Sequence, residues 1–327
     1  MNLPFIPFIR MISGLLVAVF ATALFTTTSF ADEAKPGAST VGSNTAAAVA
    51  KTFPSPEVAV EALVSAIRDK DPKQLQEIFG SAGKKLFRFD DTESDIQARD
   101  SFVNGYAQSH RIVYEGDNRA ELEVGNNQWP LPIPLVKQGD AWRFDAIKGR
   151  QEMVYRRIGK NELAAIQVCM AIVDAEREYA SVDRDGDGLR GYADKFISSP
   201  GKHDGLYWQT EPGAPQSPLG PLLAAAARDG HKASDIPLQD YHGYYYRILT
   251  SQGNAAPGGA YDYRVKGKLF GGFAVVAYPA RYGSSGIMSF MVNHDGVVYQ
   301  KDLGKKTALI ATKLEMFNPD ASWKKQE

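Results

Sequence analysis

The stretch QEMVYRRIGKNELAAIQVCMAIVDAEREY, residues 151–179, decides the fold that this sequence predicts. Apolar side chains recur through it at helical spacing, on one side of a helix. They are Ile158, Leu163, Ile166, Met170 and Val173. The pattern predicts one long helix from about Gln151 to Tyr179, with a differently patterned segment on each side of it.

The segment before this helix predicts short helices followed by an antiparallel sheet. Ser55 is a candidate N-cap residue with Pro56 at the first helical position, and a second helix begins near Asp71 and ends at Gly80. The stretches RIVYEG, RAELEVG, WPLPIPLVKQG and AWRFDAIKG then change to a period of two residues, which indicates strands separated by turns. Helices followed by such a meander predict an α+β domain over residues 52–150.

The segment after the acidic end of the helix is mostly β-patterned. The stretches YHGYYYRILTSQG, GGAYDYRVKGKLFGGFAVVAYPA and GIMSFMVNHDGVVYQKDL indicate strands, and Asn293–Gly296 predicts a hairpin turn between two of them. A long helix followed by an antiparallel sheet predicts a second α+β domain over residues 151–327.

The first 31 residues have the pattern of a secretory signal peptide. Arg10 precedes an apolar run from Met11 to about Phe25, and the small residues Ser29 and Ala31 place the cleavage between Ala31 and Asp32. Residues 32–51 are rich in Ala, Ser, Thr and Gly and predict a flexible linker. No later stretch is long and apolar enough to span a bilayer, so we expect a mature protein in the periplasm or outside the cell.

Composition excludes some partners and some covalent chemistry. The 327 residues carry 37 Lys+Arg and 38 Asp+Glu, a net charge of −1, and no basic run, so the sequence predicts no nucleic-acid binding. Cys169 is the only cysteine and lies among apolar helix residues, where a buried, inert thiol is expected.

Five stretches together carry a family resemblance: NELAAIQVCMAIVDAEREYA, KHDGLYW, SPLGPLLAAAA, YHGYYYRILTSQG and YPARYGSSGIMSFMVNHDGVVYQKDLG. With them, the mature chain resembles a bacterial envelope family known as domain of unknown function 2950. The resemblance runs from Phe53 to about Trp323, and it transfers no activity because the family has none assigned.

Two fold resemblances add to this. PSPEVAVEALVSAIRDKDPKQLQEIFG resembles the first helical hairpin of the nuclear-transport-factor-like cone fold. The C-terminal half, from NELAAIQ onward, resembles the globular heads of type IV pilins and pseudopilins. An entire domain separates the predicted signal peptide from Asn161, so the resemblance implies a pilin-like head and excludes a filament subunit.

The acidic loop DRDGDGLRGYAD, residues 183–194, predicts a calcium site. Calcium takes six to eight oxygen ligands, and alternating carboxylates in a tight turn supply three of them, with a glycine permitting the turn. The predicted ligands are the side chains of Asp183, Asp185, Asp187 and Asp194 and the carbonyl of Leu189. A single loop favours one structural calcium rather than a paired sensor. The alternative is a solvated Asp/Gly turn that ends the helix.

No catalytic constellation stands out. The histidines His110, His203, His231, His242 and His294 are scattered and none pairs at metal-ligand spacing, so no catalytic residue is predicted.

The first functional hypothesis is therefore a non-enzymatic envelope module that binds or scaffolds another protein. It predicts an exposed aromatic or apolar patch near the tyrosine-rich strand that holds Tyr244, Tyr245 and Tyr246. The alternative is a small-molecule or glycan binder, or a hydrolase, with a pocket in the N-terminal domain lined by Trp129, Trp142 and Phe144.

Overall fold

A computed structural model describes most of the chain after the predicted linker. It covers residues 49–86, 93–184, 186, 188–211, 213–228 and 240–326. The predicted signal peptide and most of the predicted linker lie outside these residues. Among the described residues, no helix is both long and apolar enough to cross a membrane.

Three helices open the described chain, and the first two lie at the positions that the sequence predicts. They are α1 Pro56–Arg68, α2 Pro72–Phe79 and α3 Glu93–Gln108. The Ser55 hydroxyl accepts a hydrogen bond from the Val58 N–H at 3.4 Å, and the Asp71 carboxylate accepts two from the first turn of α2. Gly80 ends α2 with a φ of 64°, a conformation that favours glycine. The predicted Ser55 cap and the predicted start and end of the second helix are therefore confirmed.

An antiparallel sheet follows these helices. Its strands are β1 His110–Glu115, β2 Arg119–Val124, β3 Trp129–Pro130, β4 Leu135–Gln138 and β5 Ala141–Phe144. The order is β1-β2-β4-β5, and β3 pairs with β2. Phe53 and Trp142 exchange two backbone hydrogen bonds of 2.7 Å, which bind the start of the described chain to β5. The rings of Phe79 and Phe144 lie 5.2 Å apart in the core between α2 and this sheet.

The predicted long helix, α4 Ala146–Tyr179, begins earlier than expected and has 34 residues. The Asp145 carboxylate caps it by accepting the Lys148 N–H at 3.0 Å. Leu163, predicted on the buried face, is 62% exposed. It stands nine residues from the fully buried Ile172, about half a turn around the helix, since each residue rotates by about 100°. The buried face is therefore centred on Cys169 and Ile172.

The C-terminal part of the chain builds one large sheet and two small two-stranded sheets. After α5 Gly220–Arg228, the strands are β6 Tyr244–Leu249, β7 Ser251–Gln252, β8 Tyr261–Asp262, β9 Arg264–Val265, β10 Lys268–Leu269, β11 Ala274–Pro279, β12 Met288–Asn293, β13 Val298–Asp302 and β14 Lys324–Lys325, with α6 Thr307–Ala311 before β14. The large sheet has the order β14-β13-β12-β11-β6 and is antiparallel throughout. Gly296 has a φ of 80° in the turn before β13, as the predicted hairpin requires.

The large sheet is covered on both faces. Cys169 of α4 lies close to Tyr246 on one face. On the other face, the Arg247 guanidinium donates to the carbonyls of Ala311, at 2.8 Å, and Leu314. Burial raises the pKa of the Cys169 thiol to about 12, and the side chain is fully buried, which confirms the predicted inert cysteine.

Buried apolar side chains form two clusters. The first runs from Phe53 to Ala146 between α1, α2 and the first sheet, and the second runs from Ala165 to Trp323 around α4 and the large sheet. The described residues nevertheless form one compact unit. The predicted α+β class is confirmed, and the predicted boundary between two domains at residues 150 and 151 stays a prediction.

Candidate functional site

The acidic loop follows directly from the end of α4 and is organised around Asp183. One Asp183 oxygen accepts the Gly186 N–H at 2.8 Å, and the other accepts the Gly188 N–H at 2.8 Å. Gly186 and Gly188 have φ values of 71° and 84°, so the loop uses both glycines for conformations that other residues rarely adopt. Asp185 and Asp187, the central predicted ligands, lie outside the described residues.

The two remaining predicted ligands line one cavity of about 260 Å³. Leu189 is 55% exposed there, and an Asp194 carboxylate oxygen lies 3.9 Å from the Arg264 guanidinium. Asp183 is not among the residues that line this cavity. Within the described ranges, no three His, Cys, Asp or Glu side chains gather as a metal site, so calcium stays a prediction.

A buried carboxyl group, missed by the sequence reasoning, lies behind this loop. Glu176 is fully buried; one carboxyl oxygen accepts the Ala193 N–H at 2.9 Å, and the other has no hydrogen-bond partner. Burial raises the pKa of Glu176 well above its ordinary value, the Ala193 hydrogen bond opposes this, and Asp194 raises it further. The sequence could have indicated that Glu176 is buried, because it lies one helical turn after the apolar residue Ile172 and therefore on the same face of α4.

Tyr244 and Tyr246 do not contribute to the exposed aromatic or apolar patch that the sequence predicts near this strand. Tyr244 is fully buried and donates its hydroxyl to the Met288 carbonyl at 2.8 Å, while Tyr246 is 6% exposed. Both side chains point toward α4, because that face of β6 packs on the second core. Only Tyr245 is partly exposed, on the opposite face of β6.

The backbone of β6 forms an open edge of the large sheet. Along β6, every second residue bonds to β11, and the residues between them direct their backbone N–H and C=O groups away from β11. The bond from the Ala280 N–H, just after β11, to the Gly243 carbonyl, just before β6, shows which residues bond to β11, because it identifies Gly243 as the start of the bonded series. By that alternation Tyr245 and Arg247 bond to β11, whereas the N–H and C=O groups of Tyr246 and Ile248 point away from the sheet. No described residue bonds to these four groups.

A groove of about 620 Å³ runs beside this open edge. One wall is β6 with Tyr278, and the other is the segment Asp194–Ile197. That segment is held from its far side, where the Lys195 and Phe196 carbonyls accept the N–H groups of Leu206 and Tyr207 at 3.2 and 2.8 Å. We call this feature the edge groove.

The predicted N-terminal pocket is not formed by its predicted residues. Trp142 is 6% exposed and Phe144 is fully buried, because both pack into the first core beneath α1 and α2. Trp129 is separate from them and 53% exposed. It borders a different groove, of about 800 Å³, between α3 and the turn that leads into β3. We call this second feature the amide groove, after the side chains of Asn104, Gln108, Asn126 and Asn127 that line it.

Fold and grooves define an α+β protein with two candidate binding surfaces and no assigned chemistry. Residues 50–326 match the family described as "Protein of unknown function (DUF2950)", and the chain belongs to this family. No curated protein and no solved structure matches the chain. The family assignment predicted from the sequence is confirmed, while the likeness to pilin heads finds no support from a solved structure and stays a prediction.

Proposed function

We propose that this chain is an exported, non-enzymatic binding module that recognises an extended segment of a partner protein as an added strand beside β6. The observation that carries the proposal is the set of four backbone groups, on Tyr246 and Ile248, that point into the edge groove without a partner among the described residues. Such a row is a template for an incoming strand, because main-chain hydrogen bonds supply affinity without requiring a fixed sequence.

The walls of the edge groove supply selectivity for the side chains of that segment. Tyr245 and Tyr278 lie on the same face, with ring centroids 5.6 Å apart, and both line the groove. Alternate residues of an added strand point to one face, so the partner residue beside Tyr245 would pack on this tyrosine pair, of which Tyr245 is the more exposed member. Aromatic or branched apolar residues at alternating positions are the expected partner chemistry.

The test begins with peptides selected on the purified chain from a random decapeptide display library. For the tightest peptide, single N-methyl groups are placed at successive positions and each affinity is measured by calorimetry. Strand addition predicts that N-methylation weakens binding at alternate residues, whose N–H groups bond to β6, and has little effect at the residues between. Loss at consecutive positions, or at none, would contradict recognition through the backbone.

Amide hydrogen exchange on the protein gives a matched internal control. On peptide binding, the N–H groups of Tyr246 and Ile248 should become protected, while those of Tyr245 and Arg247 should change little because they already bond to β11. An Ile248→Pro variant, which removes one donor, should bind the peptide weakly, and Ile248→Val should bind it as the wild type does. Peptide binding that leaves the Tyr246 and Ile248 amides unprotected would overturn the proposal.

We propose export because residues 1–31 have the pattern of a signal peptide. Expression of the full chain in a bacterium with a periplasm, followed by N-terminal sequencing of the periplasmic fraction, should give Asp32 as the first residue. A chain that stays in the cytoplasm with Met1 intact would count against it.

The proposal includes one structural calcium ion on the acidic loop. Its support is the loop geometry, in which the Asp183 carboxylate is oriented by the N–H groups of Gly186 and Gly188, and the pattern of alternating carboxylates, which calcium loops use. Calorimetry on the chain from Asp32 should show saturable calcium binding with a Kd on the order of 0.1–1 mM and a matching rise in melting temperature.

A doubly substituted chain, Asp185→Ala with Asp187→Ala, should lose both effects. The control removes two exposed carboxylates from hairpin turns of the first sheet, Asp117→Ala with Asp140→Ala, and should keep them. Equal calcium binding in the two double variants would show that the acidic loop holds no specific ion.

A further inference from the structure

The amide groove gathers neutral hydrogen-bonding side chains from two separate elements. Asn104 and Gln108 lie one turn apart on α3, and Asn126 and Asn127 lie in the turn before β3. All four side chains are exposed, and in the described part of the chain none of them makes a hydrogen bond. Each amide offers two donors and one acceptor oxygen, so the groove can both donate to and accept from the same ligand.

The two elements are held together by the backbone rather than by these amides. The Gly125 N–H donates to the carbonyls of Gly105, at 3.1 Å, and Ser109, at 2.8 Å, which joins the turn to the end of α3. Gly125 has a φ of 74° there. The amides are therefore placed by a rigid frame and are not needed to maintain it.

Trp129 forms a fixed aromatic wall of the same groove. The Arg156 guanidinium lies 5.2 Å from its ring centroid and is itself held by the Pro130 carbonyl at 2.7 Å and by Glu152 at 2.8 Å. This arrangement orients the indole while leaving it 53% exposed. Phe102 and Leu131, both partly buried, contribute apolar surface beside it.

The chemistry of the lining selects an uncharged ligand. No described residue that lines the groove carries a charge, so an ionic ligand would lose hydration without gaining an opposite charge. The volume of about 800 Å³ is within the range of about 300–1,000 Å³ that ligand sites occupy. Amides beside an exposed indole match a molecule with many hydroxyl groups and one apolar face, since the ring packs on C–H groups while the amides bond to the hydroxyls.

We propose that the amide groove binds a neutral oligosaccharide, with one sugar ring against Trp129 and its hydroxyl groups bonded to Asn104, Gln108, Asn126 and Asn127. This site lies on α3 and the first sheet and uses none of the residues of β6. Its test is therefore independent of the test of strand addition.

The experiment titrates the chain with four neutral trisaccharides, N,N′,N″-triacetylchitotriose, cellotriose, maltotriose and mannotriose, up to about 10 mM. Binding is followed by calorimetry and by tryptophan emission, which should shift to shorter wavelength as the sugar covers Trp129. Trigalacturonic acid and adenosine serve as a charged sugar and as a stacking ligand without a sugar chain. At least one neutral trisaccharide should bind, with trigalacturonic acid and adenosine at least tenfold weaker.

Variants separate the predicted contacts from general effects. Trp129→Ala should weaken binding about tenfold or more and abolish the emission shift, whereas Trp129→Phe should retain part of the affinity because it keeps an aromatic face. Asn104→Ala should weaken binding several-fold. Gln76→Ala, which removes an exposed amide from α2, is the matched control and should bind as the wild type does.

Three outcomes would overturn the proposal. They are no binding of any neutral trisaccharide in the folded wild type, unchanged affinity in both Trp129→Ala and Asn104→Ala, and preferred binding of adenosine or trigalacturonic acid. Because the altered side chains are exposed and the Asn104 side chain makes no hydrogen bond in the described structure, melting curves should confirm that each variant folds.

Discussion

At the scale of single residues, Glu176 makes the stability of the fold depend on pH. Its pKa is raised in the folded chain, chiefly by burial, so between its ordinary pKa of about 4.3 and its folded value the native state holds a proton that the unfolded state has lost. The contribution of Glu176 is fully present below about pH 4.3 and is lost as the pH rises through the folded pKa, with a slope of at most about 1.4 kcal/mol per pH unit.

We therefore predict that Glu176→Gln flattens the decline of the unfolding free energy that begins above the ordinary pKa of about 4.3, since glutamine does not titrate. Urea unfolding at several pH values measures it. Glu178→Gln, exposed two residues along α4, is the control and should keep the wild-type slope. A Glu176→Gln slope equal to the wild-type slope would mean that Glu176 has the same pKa in the folded and unfolded chain.

Residues governed by local chemistry were predictable, and residues governed by packing were not. The Ser55 cap and the start of the second helix near Asp71 were predicted correctly, because a helix start depends on its nearest neighbours in sequence. Trp142 was placed in a pocket and lies in the core, since alternation along a strand does not state which face another layer covers. No sequence pattern pointed to the side chains of the amide groove, because Asn104 and Asn126 line the same cavity only after the chain has folded.

At the scale of elements, two glycines of α4 should respond oppositely to the same substitution. A Cβ at Gly149 would lie 2.7 Å from Cγ1 and 2.9 Å from Cγ2 of the fully buried Ile133. A Cβ at Gly159 would have no heavy atom within 4 Å. The first glycine permits close packing of the helix on the first sheet, and the second only weakens the helix.

We predict that Gly149→Ala lowers the unfolding free energy by about 1–3 kcal/mol through overpacking. Gly159→Ala should raise it by about 0.5–1 kcal/mol through helix propensity alone. Chemical denaturation of the two variants beside the wild type measures both. Two changes of the same sign would mean that close contact with Ile133 does not set the position of α4.

Element types followed from sequence periodicity, while the role of each element followed from topology. The strand at Tyr244–Leu249 was predicted from its alternation, but its place at the edge of the sheet depends on the order β14-β13-β12-β11-β6, which no local pattern encodes. The same topology turned Tyr244 and Tyr246 inward and left backbone groups, rather than aromatic rings, as the accessible feature. The accessible feature of this strand is therefore its backbone edge, rather than the aromatic rings that the sequence suggested.

At the scale of the whole molecule, two buried clusters share one continuous helix. Ala146, in the first turn of α4, belongs to the first cluster, and the residues from Ala165 onward belong to the second. Most of the helix between them is exposed or half-buried, so few apolar contacts would transmit a loss of packing from one cluster to the other.

We predict that the two clusters open separately. Leu63→Ala leaves a cavity in the first cluster and should cost about 2–5 kcal/mol there. It should speed amide exchange in Arg119–Val124 and leave Met288–Asn293 protected. Val292→Ala, in the second cluster, should do the reverse.

Native-state hydrogen exchange followed by mass spectrometry reads both strands in one experiment. Selective loss of protection in each variant would place a boundary of local unfolding within α4, as expected for two domains that meet near residue 150. Equal acceleration in both strands for both variants would show that α4 transmits packing along its full 34 residues, and the chain from the first helix to the last strand would then unfold as a single cooperative unit.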